Sequence, residues 1–458
     1  MKHAFDAIVA GAGQAGPFLA VRLAESGRRV ALVEREFFGG TCVNTGCTPT
    51  KAMVACAHAA HLARRGAGFG VHVDQLRVDL GEVRRRTERI VLSSRNGQEK
   101  WLRGTANCTV FKGTAAFEGP HVLRVDGDLL EAPQIFLNVG ARPTIPPLRG
   151  IDSVPFLTSS TILQLEQLPS HLIVVGGGYV GLEFAQMFRR FGSQVTVVDR
   201  KPRLAPQEDE DASRVIGEIF ADEDIAVRLS ANCIHLEKNS DHISVGVECD
   251  EGSPHISGSH VLLAVGRTPN TDDLNLSAAG VAVDDRGFIS VDDQLRTSAE
   301  GIFALGDCNG HGAFTHTSYN DYEIVADNLL SGASRRISDR IPAHALYIDP
   351  PLAHVGKTEE EVRRSGRPAL AGFRPMTRVS RAIEKGETFG FMKILVEADT
   401  RQILGATLFG TGADEAIHCI LTAMYARMPA GQLARSMHIH PTVAELIPTV
   451  LGELRPFR

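Results

Sequence analysis

Short apolar runs that end on glycine punctuate this chain. Ala7-Ile8-Val9-Ala10 runs into Gly11, Leu172-Ile173-Val174-Val175 into Gly176, Ile135-Phe136-Leu137-Asn138-Val139 into Gly140, and Val261-Leu262-Leu263-Ala264-Val265 into Gly266. Runs of this length, closed by a breaker, predict buried strands of a parallel sheet. After two of them the spacing turns helical, with Phe18, Leu19, Val21 and Leu23 following Gly16. A second apolar strand then comes, Arg29 to Val33 in one copy and Gln194 to Val198 in the other, each ending on an acid. Strand, glycine turn, helix and strand therefore occur twice.

The turns are Gly11-Ala12-Gly13-Gln14-Ala15-Gly16 and Gly176-Gly177-Gly178-Tyr179-Val180-Gly181, and the acids, Glu34 and Asp199, each lie 23 positions after the first glycine. One GxGxxG alone would fit any tight loop in a βαβ unit. In this paired context it predicts two dinucleotide sites. The glycines let the backbone turn and approach a pyrophosphate, the helix N-terminus offers free amides, and the acid accepts from a ribose diol. A further strand, Ile302 to Leu305, ends at Gly306-Asp307, where the carboxylate is either a helix cap or a grip for a polyol chain.

From about Pro342 no glycine fingerprint recurs. Leu346-Tyr347-Ile348-Asp349-Pro350-Pro351, Met392 to Val396 and Ile403 to Ala406 read as strands with helices after them. The expected fold class is α/β: two Rossmann-like dinucleotide-binding domains and a C-terminal α+β domain. The boundaries are 1–149 with 270–341, 150–269 and 342–458.

With 458 residues and a net charge of −6, the chain offers no surface suited to nucleic acid or to an anionic membrane. Arg84-Arg85-Arg86 reads as the wet side of a helix whose Leu80, Val83 and Ile90 face inward. No apolar run approaches the ~20 residues of a membrane span, and no signal peptide is visible, so a cytoplasmic location is expected. Eight cysteines are too few for a stapled scaffold. Cys56, Cys108, Cys233, Cys249, Cys308 and Cys419 stand singly and read as core or surface residues.

Cys42 and Cys47 differ. They stand five apart in Gly39-Gly40-Thr41-Cys42-Val43-Asn44-Thr45-Gly46-Cys47-Thr48-Pro49-Thr50-Lys51, which opens an Ala-rich helical pattern. A thiol at a helix N-terminus beside a cation has its pKa lowered into the range of about 3.5–7.5, so it can attack at neutral pH. In a reducing compartment such a pair is catalytic rather than structural. No CxxC or HxxxH set completes a metal cage, and no resident metal is expected.

Together these motifs resemble the pyridine nucleotide-disulfide oxidoreductases, a family that includes dihydrolipoamide dehydrogenase, glutathione reductase and mercuric reductase. The likeness covers essentially the whole chain. It implies that Gly11, Gly13, Gly16 and Glu34 hold the ADP half of FAD, that Thr114 and Ala115 lie at the adenine, and that Asp307 binds the ribityl chain. It implies Lys51 near the flavin and paired with Glu183, with Tyr179 gating the nicotinamide pocket. Gly40, Thr41, Gly140, Phe314, Thr315 and Gly266 join the expected cofactor set; Gly176, Gly178, Gly181, Asp199 and Arg200 belong to the nicotinamide side. Cys47 would be the flavin-proximal sulfur and Cys42 the thiol that meets substrate.

Near the C-terminus, His438-Ile439-His440-Pro441-Thr442-Val443-Ala444-Glu445 resembles the family's catalytic His-Glu pair. Disulfide exchange needs a group that takes and returns a proton, and histidine suits both directions. Thr442-x-x-Glu445 is equally a capping box. The resemblance implies a homodimer in which His440 reaches the thiols of the other subunit; His438 is not expected to act.

Asp199 favours NAD(H) over NADP(H), since a carboxylate repels a 2′-phosphate, although Arg200, Lys201 and Arg203 follow it. For substrate, His-x-His-Pro-Thr looks like dihydrolipoamide dehydrogenase and a disulfide or lipoyl acceptor. Phe314 to Tyr322 and Pro350-Pro351 look closer to a mercuric-reductase-like branch that includes reactive-chlorine-resistance flavoproteins. Three readings stand: a disulfide/dithiol oxidoreductase, a metal-ion reductase for Hg(II) or Cu(II), and a non-enzymatic FAD redox sensor.

Overall fold

The computed structural model describes residues 1–239, 242–248 and 253–457. Two five-stranded parallel sheets share one plan. The first runs Ile302–Ala304, Gln134–Leu137, Ala7–Ala10, Val30–Glu34, Cys108–Lys112; the second runs Leu157–Thr158, His260–Leu263, His171–Val175, Gln194–Val198, Ala226–Arg228. Their central strands are buried on both faces, which is why they read as continuous apolar runs rather than as alternation. The helices Gly16–Glu25 and Tyr179–Phe191 follow the two turns. In both copies the third fingerprint glycine packs the helix against the turn: a Cβ would lie 2.1 Å from the Gly11 carbonyl oxygen at Gly16, and 2.0 Å from that of Gly176 at Gly181.

Each parallel sheet carries a smaller one. Lys2–Ala4, Asp128–Glu131, Val122–Val125 and Ala115–Gly119 form a four-stranded sheet beside the first; Asn232–Lys238, Ile243–Glu248 and His255–Gly258 form an antiparallel three-stranded sheet beside the second. The two Arg-Pro segments that follow Gly140 and Gly266 pair with each other. Ala141–Pro143 and Arg267–Pro269 run antiparallel, with Arg267 opposite Pro143 and Pro269 opposite Ala141.

The C-terminal unit is a six-stranded antiparallel sheet in the order Ala343–Leu346, Leu352–Gly356, Ile403–Phe409, Phe391–Glu397, Ala369–Pro375, Arg455–Phe457. Helices Ala413–Tyr425 and Ile447–Gly452 pack on it through Ile417, Ile420, Ile447 and Val450. One expectation fails here. Leu346 to Pro351 is not a strand: Leu346 ends one strand, and Tyr347 to Pro351 turn the chain into the next. The backbone amides of Tyr347 and Asp349 donate instead to Glu183 Oε1 (2.9 Å) and Gln186 Oε1 (2.7 Å), and the two prolines have no amide to offer a ladder.

One apolar cluster joins all three units. Met53 and Ala57 of helix Cys47–Arg65 pack with Phe184 and Phe188 of helix Tyr179–Phe191, and with Leu346, Phe391 and Phe409 of the C-terminal sheet. A buried ionic knot adds direction. Arg190, 4% exposed, bonds Glu223 Oε1 at 2.7 Å and also Asp349, which His58 Nδ1 meets at 2.6 Å. Burial pushes the Asp349 carboxyl up, but His58 and Arg190 outweigh it and hold it well below the usual carboxylate range.

Arg85 and Arg86 are exposed on helix Leu80–Gly104, while Arg84 is half-buried and ties to Glu166 at 2.9 Å. Cys308 is buried and Cys419 exposed. Cys249 and the side chain of Cys233 lie outside the described residues. Among the described residues no helix is long and apolar enough to cross a membrane.

Candidate active site

The thiol segment bends at Gly39 and Gly40, both at positive φ (96° and 57°), and a Cβ on Gly40 would lie 2.8 Å from Gly13 Cα. The turn that precedes the thiols thus rests directly on the first fingerprint. Cys42 sits in the single helical turn Gly40–Asn44, and Cys47 is the first residue of helix Cys47–Arg65, with Pro49 in its first turn. Amides at that N-terminus favour negative charge on Cys47.

Both are free thiols, and Thr315 stands between them: its Oγ1 lies 3.1 Å from Cys42 Sγ and 3.4 Å from Cys47 Sγ. The pair is electrically unequal. The hydrogen bond from Cys42, then Thr315 and the Lys51 charge, overcome burial and pull the Cys47 thiol down to about 6. The same bond to Cys47, together with burial, pushes the Cys42 thiol far up. One thiolate is thus held by one thiol. Lys51 Nζ lies 2.6 Å from Glu183 Oε2, and Glu183 is 7% exposed.

These groups line one end of a cavity of about 2010 Å³. Gly11, Gly13, Glu34, Gly40, Thr41, Thr114, Ala115, Gly140 and Asp307 line it too, with Phe314 and Tyr179. Its walls suit the expected FAD. A Cβ on Gly11 would fall 2.3 Å from the Asn138 carbonyl oxygen, and one on Gly13 2.8 Å from Asn138 Oδ1, so only glycine allows this approach. Glu34 accepts from the amides of Ala12 and Glu36, both at 2.8 Å, which fixes its carboxylate at the C-terminal end of its strand. Burial raises the Asp307 carboxyl above its ordinary value, and the charge of Arg267, whose Nε is 3.4 Å away, counters this only in part.

The second fingerprint repeats this geometry. Gly177 donates to Asp199 Oδ2 at 2.5 Å and Lys201 to Oδ1 at 2.7 Å. Gly176, Gly178, Gly181, Asp199, Arg200 and Gly266 lie off the wall of the large cavity; Tyr179, the first residue of their helix, is on it. The Tyr179 hydroxyl donates to Glu208, which also meets His344 Nε2 at 2.8 Å. Burial, then the charge of Glu208, pushes the Tyr179 phenol up.

His440 and Glu445 come together but not with the thiols. His440 Nδ1 lies 3.0 and 3.1 Å from the two Glu445 oxygens, and the His440 side chain is 74% exposed, away from the cavity wall. Half of the capping box also exists: Thr442 Oγ1 accepts from the Glu445 amide at 3.2 Å, while the Glu445 carboxylate turns to the imidazole. His438 is exposed and bonds the Ser436 carbonyl at 3.0 Å.

Several residues at the site escape sequence reasoning. Asn138 receives the Gly16 amide (2.9 Å) and donates to the Leu305 carbonyl (2.9 Å), pinning fingerprint to sheet. Its one signal is a polar residue inside an apolar run. Arg267 is visible in the sequence only as the Arg that follows Gly266, as Arg142 follows Gly140, while Glu208 and His344 carry no motif at all; tertiary packing brings them in.

Comparison with known proteins supplies the frame. The family described as "Pyridine nucleotide-disulphide oxidoreductase" matches residues 5–321, and its dimerisation domain matches residues 342–451. The Escherichia coli (strain K12) "Probable pyridine nucleotide-disulfide oxidoreductase RclA" is 37% identical over 96% of this chain and 97% of its own length. A mercuric reductase of Streptomyces lividans and a dihydrolipoyl dehydrogenase of Chlorobaculum parvum are each 34% identical over 97% of this chain, and over 94% and 95% of their own lengths. A solved structure, the Cu(II) complex of the HOCl-induced flavoprotein disulfide reductase RclA from Escherichia coli, superposes with a TM-score of 0.90 at 33% identity, covering 98% of this chain and 99% of that one. Doubled nucleotide folds, an adjacent thiol pair and a C-terminal dimerisation sheet thus have one common explanation: the chain belongs to the pyridine nucleotide-disulphide oxidoreductase family, as a flavoprotein enzyme that uses FAD and a nicotinamide.

Proposed function

We propose that this flavoprotein takes electrons from NADH and passes them, through Cys47 and Cys42, to a small disulfide. The observation that carries the reading is the inequality of the two thiols beside the Lys51–Glu183 pair. FAD supplies the hydride chemistry when bound, and residues 1–149 with 270–341 build its cradle, held by Gly11, Gly13, Gly16, Glu34 and Asp307. Residues 150–269 carry the nicotinamide site. Asp199, held by two amides at the end of its strand, suits an unphosphorylated ribose, hence NADH.

Exchange then follows from proton positions. Cys47 is already ionised at neutral pH, whereas Cys42, the thiol that meets substrate, must first lose its proton. That demands a base. His440, oriented by Glu445 through Nδ1, presents its other nitrogen outward, and we place it over the thiols of the partner subunit in a homodimer. The Cys42 thiolate attacks one substrate sulfur, breaking the substrate S–S bond, and the imidazolium returns the proton to the departing thiolate. Cys47 then attacks Cys42, which releases the second substrate thiolate and re-forms the enzyme disulfide. Two electrons have left the enzyme. A dithiol cycle of this kind belongs to a reducing compartment, and we place the enzyme in the cytoplasm.

A second reading keeps the same thiols and changes the acceptor. Relatives are named mercuric reductase, and the superposed E. coli structure is a Cu(II) complex. Two sulfurs 3.1 and 3.4 Å from one hydroxyl form a soft-metal pocket as readily as an exchange site. Steady-state rates with lipoamide, glutathione disulfide, Cu(II) and Hg(II), each with NADH and NADPH, separate the readings. A disulfide turned over best with NADH, and lost in Cys42→Ser, supports the first. A kcat/KM for a metal ion above that of every disulfide overturns it.

A further inference from the structure

The three-stranded sheet of the second unit brings together three side chains that the reaction does not use. His235 and Glu237 lie two apart on strand Asn232–Lys238, so they share a face, and His255 opens strand His255–Gly258. The strand between them puts Gly246 in register with both histidines. This glycine is what allows the meeting: a Cβ there would lie 2.0 Å from His235 Cε1. With no side chain in the middle row, the two imidazoles approach across it, edge to face, with centroids 6.1 Å apart.

We infer that His235, Glu237 and His255 form a binding site for a borderline divalent transition-metal ion, separate from the redox thiols. One ligand atom from each lies within 4.8 Å of the others. His235 Nε2 and Glu237 Oε1 are 3.5 Å apart, close to the separation of about 3.4 Å that two ligands of one tetrahedral ion show at metal bonds of roughly 2.0–2.2 Å. His255 supplies the third ligand atom from the neighbouring strand, within 4.8 Å of the other two. An ordinary ion pair would explain His235 and Glu237 alone. It does not explain a second imidazole converging from another strand over a glycine. Two nitrogens and one carboxylate select Zn(II), Cu(II) or Ni(II) over Mg(II) and Ca(II), which prefer all-oxygen sites. Three protein ligands also leave a position for water.

The test uses the FAD-bearing enzyme in its disulfide form, with the remaining thiols blocked by N-ethylmaleimide, so that sulfur cannot bind the probe. Calorimetric titration with zinc chloride should show one ion per chain, and magnesium chloride should give no heat of binding. His255→Ala should weaken zinc by roughly tenfold or more, and Glu237→Gln by about tenfold, while NADH-dependent turnover stays at the wild-type level. Gly246→Ala should abolish binding by displacing the His235 ring. With copper sulfate, electron paramagnetic resonance should show splitting from two nitrogens, falling to one in His255→Ala. Equal zinc affinity in wild type and His255→Ala, or no stoichiometric binding in the wild type, overturns the proposal.

Discussion

Lys51 Nζ lies 2.6 Å from Glu183 Oε2, and the other Glu183 oxygen accepts the Tyr347 amide at 2.9 Å. A single carboxylate therefore ties the thiol helix, the second fingerprint helix and the C-terminal unit at the wall of the large cavity. Lys51 is also a cation that pulls Cys47 down. In Lys51→Met, the Cys47 thiolate should form at a pH about one unit higher than in wild type. A Cys47 thiolate lying against the flavin, as the family resemblance implies, should give the reduced enzyme a long-wavelength charge-transfer absorbance, and its titration against pH reads this. The sign is fixed: an acid with a lowered pKa is ionised above about 6, so the wild-type band fades as pH falls through about 6.

Thr315 touches both sulfurs and lowers Cys47 by hydrogen bonding. Thr315→Val keeps the shape and removes the hydroxyl. The band should again fade at higher pH, by about one unit, because a hydrogen bond to a charged group contributes about 1.5–3 kcal/mol and Cys42 still supplies its own. FAD content of the variant reads the other role expected of Thr315: a loss of FAD marks the hydroxyl as a cofactor contact as well as a partner of the thiols.

His440→Ala should leave reduction of the enzyme by NADH unchanged in stopped-flow and lower steady-state turnover by about 10²–10⁴-fold. Glu445→Gln should cost less and shift the pH profile. Placement across the dimer has its own check. When Cys42→Ser and His440→Ala chains are mixed and allowed to form dimers at random, the mixture should recover about a quarter of wild-type activity, since half the dimers hold one complete site. No recovery would overturn the placement of His440 over the partner's thiols.

Much of this arrangement is written locally. The two fingerprints can be read because each needs glycine where a Cβ would strike backbone, and an acid at a fixed strand end; Ala12 on Glu34 and Gly177 on Asp199 are the same contact made twice. The thiol segment is equally local. Asn138, Arg267, Glu208 and His344 cannot be read this way, because their partners lie 29 to 136 positions away at no fixed motif spacing and only packing selects them. Leu346 to Pro351 misleads for a related reason. Apolar spacing there matches a strand, yet the amides are claimed by Glu183 and Gln186 from another unit.

Asp349→Asn should destabilise the protein by about 1–3 kcal/mol, because buried Arg190 loses one of its two anions and half-exposed His58 loses its partner. The expected readout is a lower urea midpoint with unchanged thiol chemistry in the folded fraction. A wild-type midpoint would mean that Glu223 alone balances Arg190.

The paired Arg-Pro segments carry one more consequence. The polypeptide leaves the first parallel sheet through Ala141–Pro143 and comes back through Arg267–Pro269, hydrogen-bonded side by side. The chain in between is tied covalently to the first sheet through this neck, and it packs back on its neighbours through Phe184 and Phe188. A neck of this width lets the inserted nucleotide unit be exchanged as a cassette, provided the replacement keeps the faces of Glu183 and Arg190. Choice of reductant and choice of acceptor can then vary independently.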